Sequence, residues 1–188
     1  KTLVRSAEVL HLARTAGRFG LTIPTAEPDW PGVRNRVAGI IRTIQGDDGD
    51  QNVRDAGITL FKSHARFRSP HEIEIEGQVI RTEKVVIAAG ATTVVPEIAG
   101  LKEAGYITNI EAVNLPHLPA SMVIIGGGTV AIEFAQIFAR FGSRVTVMGS
   151  ADHILPHEDP ELTDLLREIL ESEGIRIETG VRVNQVET

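Results

Sequence analysis

A glycine-rich turn is the feature of the 188-residue sequence with the clearest chemistry. Gly126, Gly127 and Gly128 follow the apolar run at residues 122–125, and Ala131 stands three residues after Gly128. In a G-x-G-x-x-A pattern the first glycine permits a tight turn, and the second lets the backbone approach a pyrophosphate. The third small residue lets helix and strand pack closely. Amides and the dipole at the start of a helix attract phosphates, so the pattern predicts a dinucleotide-binding turn.

The same candidate cofactor site includes Thr129, directly before the expected helix, and Val130, the first residue of that helix. Gly149 marks its far side. An acidic residue about 20 positions past the first glycine normally binds the ribose hydroxyls of NAD. Here Gly149 and Ser150 occupy that place, so the sequence lacks the carboxylate that usually makes such a site selective for NADH. No arginine follows directly to bind the 2′-phosphate of NADP. The sequence predicts weak discrimination with a slight lean toward NADPH, and Asp152 is the alternative ribose contact.

The segments that must position this turn follow a strand, helix, strand order. Helical spacing of apolar residues predicts helices at residues 2–16, 33–44, 130–141 and 160–173. In the last of these, five apolar residues form the expected buried stripe: Leu162, Leu165, Leu166, Ile169 and Leu170.

Two kinds of strand pattern occur. Strict alternation at residues 72–76, a turn at Gly77 and a return at 79–80 predict a small antiparallel meander. A short apolar run at 58–61 predicts another strand. Continuous apolar runs at 85–89 and 122–125 suit strands buried on both faces of a parallel sheet. The expected fold class is therefore α/β.

Composition narrows the classes of function. The net charge of −6 and pI near 5.5 argue against nucleic acid as a partner, because phosphate binding needs a basic surface. No apolar run approaches 18 residues, so no membrane partner is expected. The sequence contains no cysteine. It begins with Lys1 inside a helical pattern, without a signal peptide, which favours a piece of a larger cytoplasmic protein.

Four segments together carry a family resemblance. Residues 121–146, with the glycine turn followed by Glu133, resemble the start of the nicotinamide-binding domain in the pyridine nucleotide-disulfide oxidoreductases. The opening Lys-Thr-Leu-Val-Arg-Ser-Ala-Glu is similar to the segment directly after that family's Cys-x-x-x-x-Cys pair. Residues 85–90 resemble the flavin-domain strand that ends in Ala-Thr-Gly, with Ala89 in place of threonine. His64 and Ala65 lie in a segment similar to the family's adenine-side loop.

The resemblance implies cofactors and site residues. It implies Rossmann-like FAD- and NAD(P)-binding domains with an antiparallel β-meander, the first partly covered by residues 1–115 and the second by 116–188. Lys1 resembles the lysine near the flavin, and Glu133 resembles its ion-pair partner. The implied flavin contacts are His64, Ala65, Ala89 and Gly90.

The resemblance also implies an activity. Hydride would pass from NAD(P)H to FAD and then to a redox disulfide outside this chain, with a small-molecule substrate as the final acceptor. The segment at residues 7–14 is most similar to mercuric-reductase-type members, and dihydrolipoamide dehydrogenase is the close alternative. A homodimer is expected, through a C-terminal domain that this chain lacks. A nucleotide-binding piece without turnover, and a flavoprotein that uses no disulfide, stay open as alternatives.

Overall fold

The structure is a computed structural model that describes residues 1–46 and 49–187. Within these residues the α-helices are α1 (Thr2–Arg14), α2 (Trp30–Gln45), α3 (Gln51–Asp55), α4 (Leu101–Ala104), α5 (Asn109–Ala112), α6 (Thr129–Phe141) and α7 (Pro160–Ser172), and a short 3₁₀ helix spans Ala16–Phe19. The strands are β1 (Ala65–Ser69), β2 (Glu72–Ile75), β3 (Gln78–Arg81), β4 (Ser121–Ile125), β5 (Arg144–Met148) and β6 (Arg176–Glu178). None of the described helices combines the length and apolar character needed to cross a membrane.

Contacts divide the chain into two compact units. One consists of Lys1–Gly39 with Val95–Thr188, and the other of Ile40–Val94. The boundary predicted between residues 115 and 116 divides the chain according to the cofactor that each part is expected to bind. The units defined by contacts do not test that division, so it stays a prediction.

The first unit contains a parallel sheet in the order β4-β5-β6. Ser121 is aligned with Arg144, and Thr146 is aligned with Arg176. Parallel neighbours need crossover connections, and α6 and α7 supply them. This arrangement confirms the predicted α/β class and its Rossmann-like unit.

Aromatic and aliphatic side chains between this sheet and its helices form the core of the unit. Phe138, Val147 and Leu170 are fully buried. The Trp30 ring lies 5.3 Å from the Phe141 ring, edge to face, and 5.9 Å from that of Phe138. Burial of each such side chain stabilises the fold by about 1.5–3 kcal/mol, so this unit has a core of its own.

Helix α7 corrects one prediction. Leu170 is buried and Leu166 is partly buried, whereas Leu162, Leu165 and Ile169 are exposed. Residues four apart lie on one helix face, and only the face that carries Leu166 and Leu170 is covered. The five-residue stripe was therefore predicted too wide.

The second unit contains the antiparallel sheet β1-β2-β3, which confirms the predicted meander. Ile73 is aligned with Ile80 across β2 and β3. Glu76 and Gly77 both have positive φ, at 52° and 79°, as a two-residue type I′ hairpin turn requires.

Two predicted strands are absent from the described residues. Residues 58–61 form no strand, and neither do residues 85–89. Val86 and Ile87 are 89% and 75% exposed. An apolar run becomes a strand only when a neighbour satisfies its amides and carbonyls, and no described strand lies beside this one. We refer to residues 85–94 as the open segment.

Candidate functional site

The glycine turn follows β4 directly, as predicted. The Gly126 amide donates to the Met148 carbonyl at 2.8 Å, which ties the turn to the end of β5. Gly126 has φ 121°, a conformation that side chains rarely adopt. The first glycine is therefore required by the backbone itself.

Gly127 lies where the backbone after β5 approaches the turn. Its carbonyl accepts the Leu155 amide at 2.8 Å. A Cβ placed on Gly149 would stand 3.7 Å from Cα of Gly127, an ordinary contact distance. The structure thus places Gly149 beside the turn, and its contact with a cofactor stays a prediction.

Gly128 begins helix α6 and leaves space above the helix start. Its backbone is extended, with φ −82° and ψ 178°, and no described side chain caps the helix. The first amide bonded back within the helix is that of Ile132, to the Gly128 carbonyl at 3.1 Å. The amides of residues 129–131 therefore have no acceptor inside the helix.

These features can be tested for their fit to a dinucleotide. A Cβ on Gly128 would meet none of the described atoms within 4 Å, apart from its chain neighbours. Gly128, Thr129 and Val130 are all exposed. Amides without acceptors beneath open space suit an anionic group, so the residues present fit the pyrophosphate of a nicotinamide dinucleotide.

On the adenosine side of the candidate site, Gly149 provides no side chain. The Gly149 amide donates to the Glu178 carbonyl at 2.8 Å, so β6 runs beside it. Asp152 is exposed and lies near Gly180, on which a Cβ would stand 3.9 Å from the carboxylate oxygen. The described residues contain no group of three or more His, Cys, Asp or Glu residues that could hold a metal ion.

Helix α1, which carries Lys1 at its N-cap, packs against α6. The Arg14 guanidinium donates to the Arg140 carbonyl at 2.6 Å. Lys1 and Glu133 are exposed, and no ion pair between them occurs among the described residues. Their pairing concerns the full-length protein and stays a prediction.

An ion pair joins α6 to the end of α7. The Arg140 guanidinium donates twice to the Glu173 carboxylate, at 2.7 and 2.6 Å, and the Gln136 amide donates at 3.0 Å. Burial by itself would raise the pKa of Glu173. The hydrogen bonds and charge of Arg140, the charge of His11 and the Gln136 bond outweigh that effect and hold the pKa below its usual value. Sequence inspection missed this pair because 33 residues separate its members.

The residues predicted to contact flavin lie in the second unit. His64 is exposed next to β1, and Ala65 is the first residue of that strand. Ala89 and Gly90 are exposed in the open segment, and Gly90 has φ 71°. These four flavin contacts stay predictions.

Comparison with known proteins finds a matching family model and several similar sequences. The family model described as "Pyridine nucleotide-disulphide oxidoreductase" matches residues 3–188. The chain is 31% identical to a dihydrolipoyl dehydrogenase of Acholeplasma laidlawii and 30% identical to a mercuric reductase of Staphylococcus aureus. All of this chain is covered in both alignments, but only 57% and 34% of the two relatives.

A solved structure gives the same result. The HOCl-induced flavoprotein disulfide reductase RclA from Escherichia coli, as its Cu(II) complex, superposes with a TM-score of 0.77 at 29% identity. The match covers 100% of this chain and 40% of that protein. The chain thus spans about a third to somewhat over half of the length of these relatives.

Proposed function

Since the chain belongs to the pyridine nucleotide-disulphide oxidoreductase family, we propose that it forms part of a longer enzyme that oxidises NAD(P)H. In this proposal bound NAD(P)H and FAD would supply the chemistry that carries a hydride from NAD(P)H to the flavin and its reducing equivalents on to a redox disulfide. The sequence contains no cysteine, so that disulfide belongs to another part of the protein. Flavin and nicotinamide supply the redox chemistry when they are bound, while the protein binds and orients them.

One observation carries the nicotinamide part of the proposal: helix α6 begins with unpaired amides beneath open space at Gly128. These amides would hold the pyrophosphate. The partial positive charge of the helix start would favour the anion further. Lys1 and Glu133 are proposed to pair in the full-length protein. There the glutamate would hold the lysine in place to stabilise negative charge on the reduced flavin.

We propose that the final electron acceptor is that of a mercuric-reductase-like enzyme, because residues 7–14 resemble mercuric-reductase-type members. A mercuric-reductase-like enzyme is therefore the first to assay. Reduction of lipoamide is the second assay, because a dihydrolipoyl dehydrogenase has similar identity to this chain. We also propose a homodimeric, cytoplasmic full-length protein.

Gly128→Val in the full-length protein tests the nicotinamide site. The extended backbone at Gly128 accepts a valine, so the variant should fold while its side chain fills the space for the pyrophosphate. The affinity for NAD(P)H, measured by titration calorimetry, should fall by at least about tenfold, or roughly 1.4 kcal/mol.

Gly17→Val provides the matched control. A Cβ on Gly17 also meets no described atom within 4 Å, but this residue lies outside the candidate site. Its variant should bind NAD(P)H like the wild type. Unchanged NAD(P)H affinity in a folded Gly128→Val protein would show that the dinucleotide does not bind at this turn. NAD(P)H binding without turnover in the wild type would support a nucleotide-binding protein instead of the enzyme.

A further inference from the structure

The structure places the segment that follows β6 beside Gly149, a position without a side chain. The Val181 amide donates to the Gly149 carbonyl at 3.0 Å, and the Gly180 amide donates to the Ala151 carbonyl at 2.7 Å. The backbone just after β6 therefore runs directly beside the place where a ribose-binding acid normally stands. Arg182 is the next residue in that segment.

Three arginines lie on or near β6 in the described part of the chain, and two of them are engaged. The Arg167 guanidinium donates to Glu171, to the Thr179 hydroxyl and to the Ile177 carbonyl, at 2.8, 3.2 and 3.0 Å.

Arg176 forms an ion pair with Glu178 at 2.6 Å. It is aligned with Thr146, one position before the aligned and buried pair Val147 and Ile177. Successive side chains of a strand point to opposite faces, so Arg176 lies on the face opposite that pair.

Arg182 differs from both. It is exposed, and it has no hydrogen bond or ion pair with any residue that the structure describes. A free guanidinium can bind a phosphate through two parallel hydrogen bonds, which a carboxylate at the usual ribose position would oppose. Gly149 removes that opposition.

We propose that Arg182 is a specificity-determining residue that binds the 2′-phosphate of NADPH. The assignment rests on the proposed nicotinamide site. Such a contact would favour NADPH in a site that has no ribose-binding acid and no arginine directly after β5. Asp152, exposed near Gly180, adds a nearby negative charge, so the preference is expected to be modest.

The test compares Arg182→Gln with Arg176→Gln in the full-length protein. Both variants remove one exposed positive charge, so a general electrostatic effect would appear in both. Dissociation constants for NADPH and NADH are measured by calorimetry. Loss of a bidentate phosphate contact should weaken NADPH binding by about five- to tenfold in Arg182→Gln. NADH binding should stay within about twofold of wild type, as should both cofactors in Arg176→Gln.

A conservative variant separates contact from folding. Arg182→Lys keeps the charge but loses the planar fork, so its NADPH affinity should lie between those of wild type and Arg182→Gln. Equal weakening of both cofactors, or unchanged NADPH affinity in Arg182→Gln, would overturn the assignment. A wild-type protein that binds neither cofactor would instead contradict the proposed function.

Discussion

Residues 122–125 and 85–89 are both continuous apolar runs, yet only the first lies in a strand. β4 pairs along its length with β5, which in turn pairs with β6. The open segment has no such neighbour among the described residues, and Val86 stays exposed. An apolar run therefore indicates where a strand is favourable, whereas pairing with a neighbouring strand decides whether the strand forms.

The largest expected effect comes from the core beneath the parallel sheet. Phe138 is fully buried beside the Trp30 ring, so Phe138→Ala leaves a cavity. The free energy of unfolding should fall by about 3–5 kcal/mol in urea denaturation.

Val86→Ala in the open segment is the contrasting variant, and it should change the stability of this chain by less than about 0.5 kcal/mol. A cost near that of Phe138→Ala would show that Val86 is buried in solution and would break the comparison. In the full-length protein, a cost of about 1–2 kcal/mol from the same substitution would indicate that a partner strand covers it.

A smaller effect is expected from the ion pair that joins α6 to α7. Arg140 and Glu173 have side chains only 17% and 10% exposed. Glu173→Gln leaves Arg140 without its counter-charge and should cost about 2–4 kcal/mol at neutral pH. Glu178→Gln, which removes a pair with a largely exposed arginine, should cost less than about 1 kcal/mol.

The same variant has a signature in acid. The pKa of Glu173 in the folded protein lies below its ordinary value of 4.5. The stabilisation is therefore fully present above that ordinary value and is lost as the pH falls through the lowered pKa. The stability difference between wild type and Glu173→Gln should shrink below about pH 4.5. A difference that stays constant with pH would contradict the role given to this carboxylate.

The smallest effect concerns the edge of the parallel sheet. Gly149→Asp in the full-length protein places a carboxylate at the usual ribose position. The backbone admits a Cβ there at 3.7 Å from Gly127. The ratio of kcat/KM for NADH over that for NADPH should rise about tenfold, or roughly 1.4 kcal/mol. Gly149→Ala, which adds only a methyl group, should leave the ratio close to wild type, and a rise there would assign the effect to shape rather than charge.

Local signals predicted the elements around the glycine turn well. Gly126 has the positive φ that a tight turn after a strand requires, and β4, α6 and β5 follow in the predicted order. Helix α7 begins at Pro160, as predicted, and the Asp159 side chain caps it by accepting the Glu161 amide at 3.0 Å. These features depend on neighbours a few residues apart, so the sequence alone carries the information.

The sequence by itself determined the α/β class, the glycine turn, the meander and the absence of an acid at Gly149. Only the tertiary structure decided that Leu162 and Leu165 face outward, that residues 85–89 stay unpaired, and that Arg140 meets Glu173. It also placed the segment before Arg182 beside Gly149. These outcomes depend on which distant surfaces meet. Residue spacing can predict pairing between neighbouring strands joined by a tight turn, but it does not identify contacts between segments or side chains many positions apart.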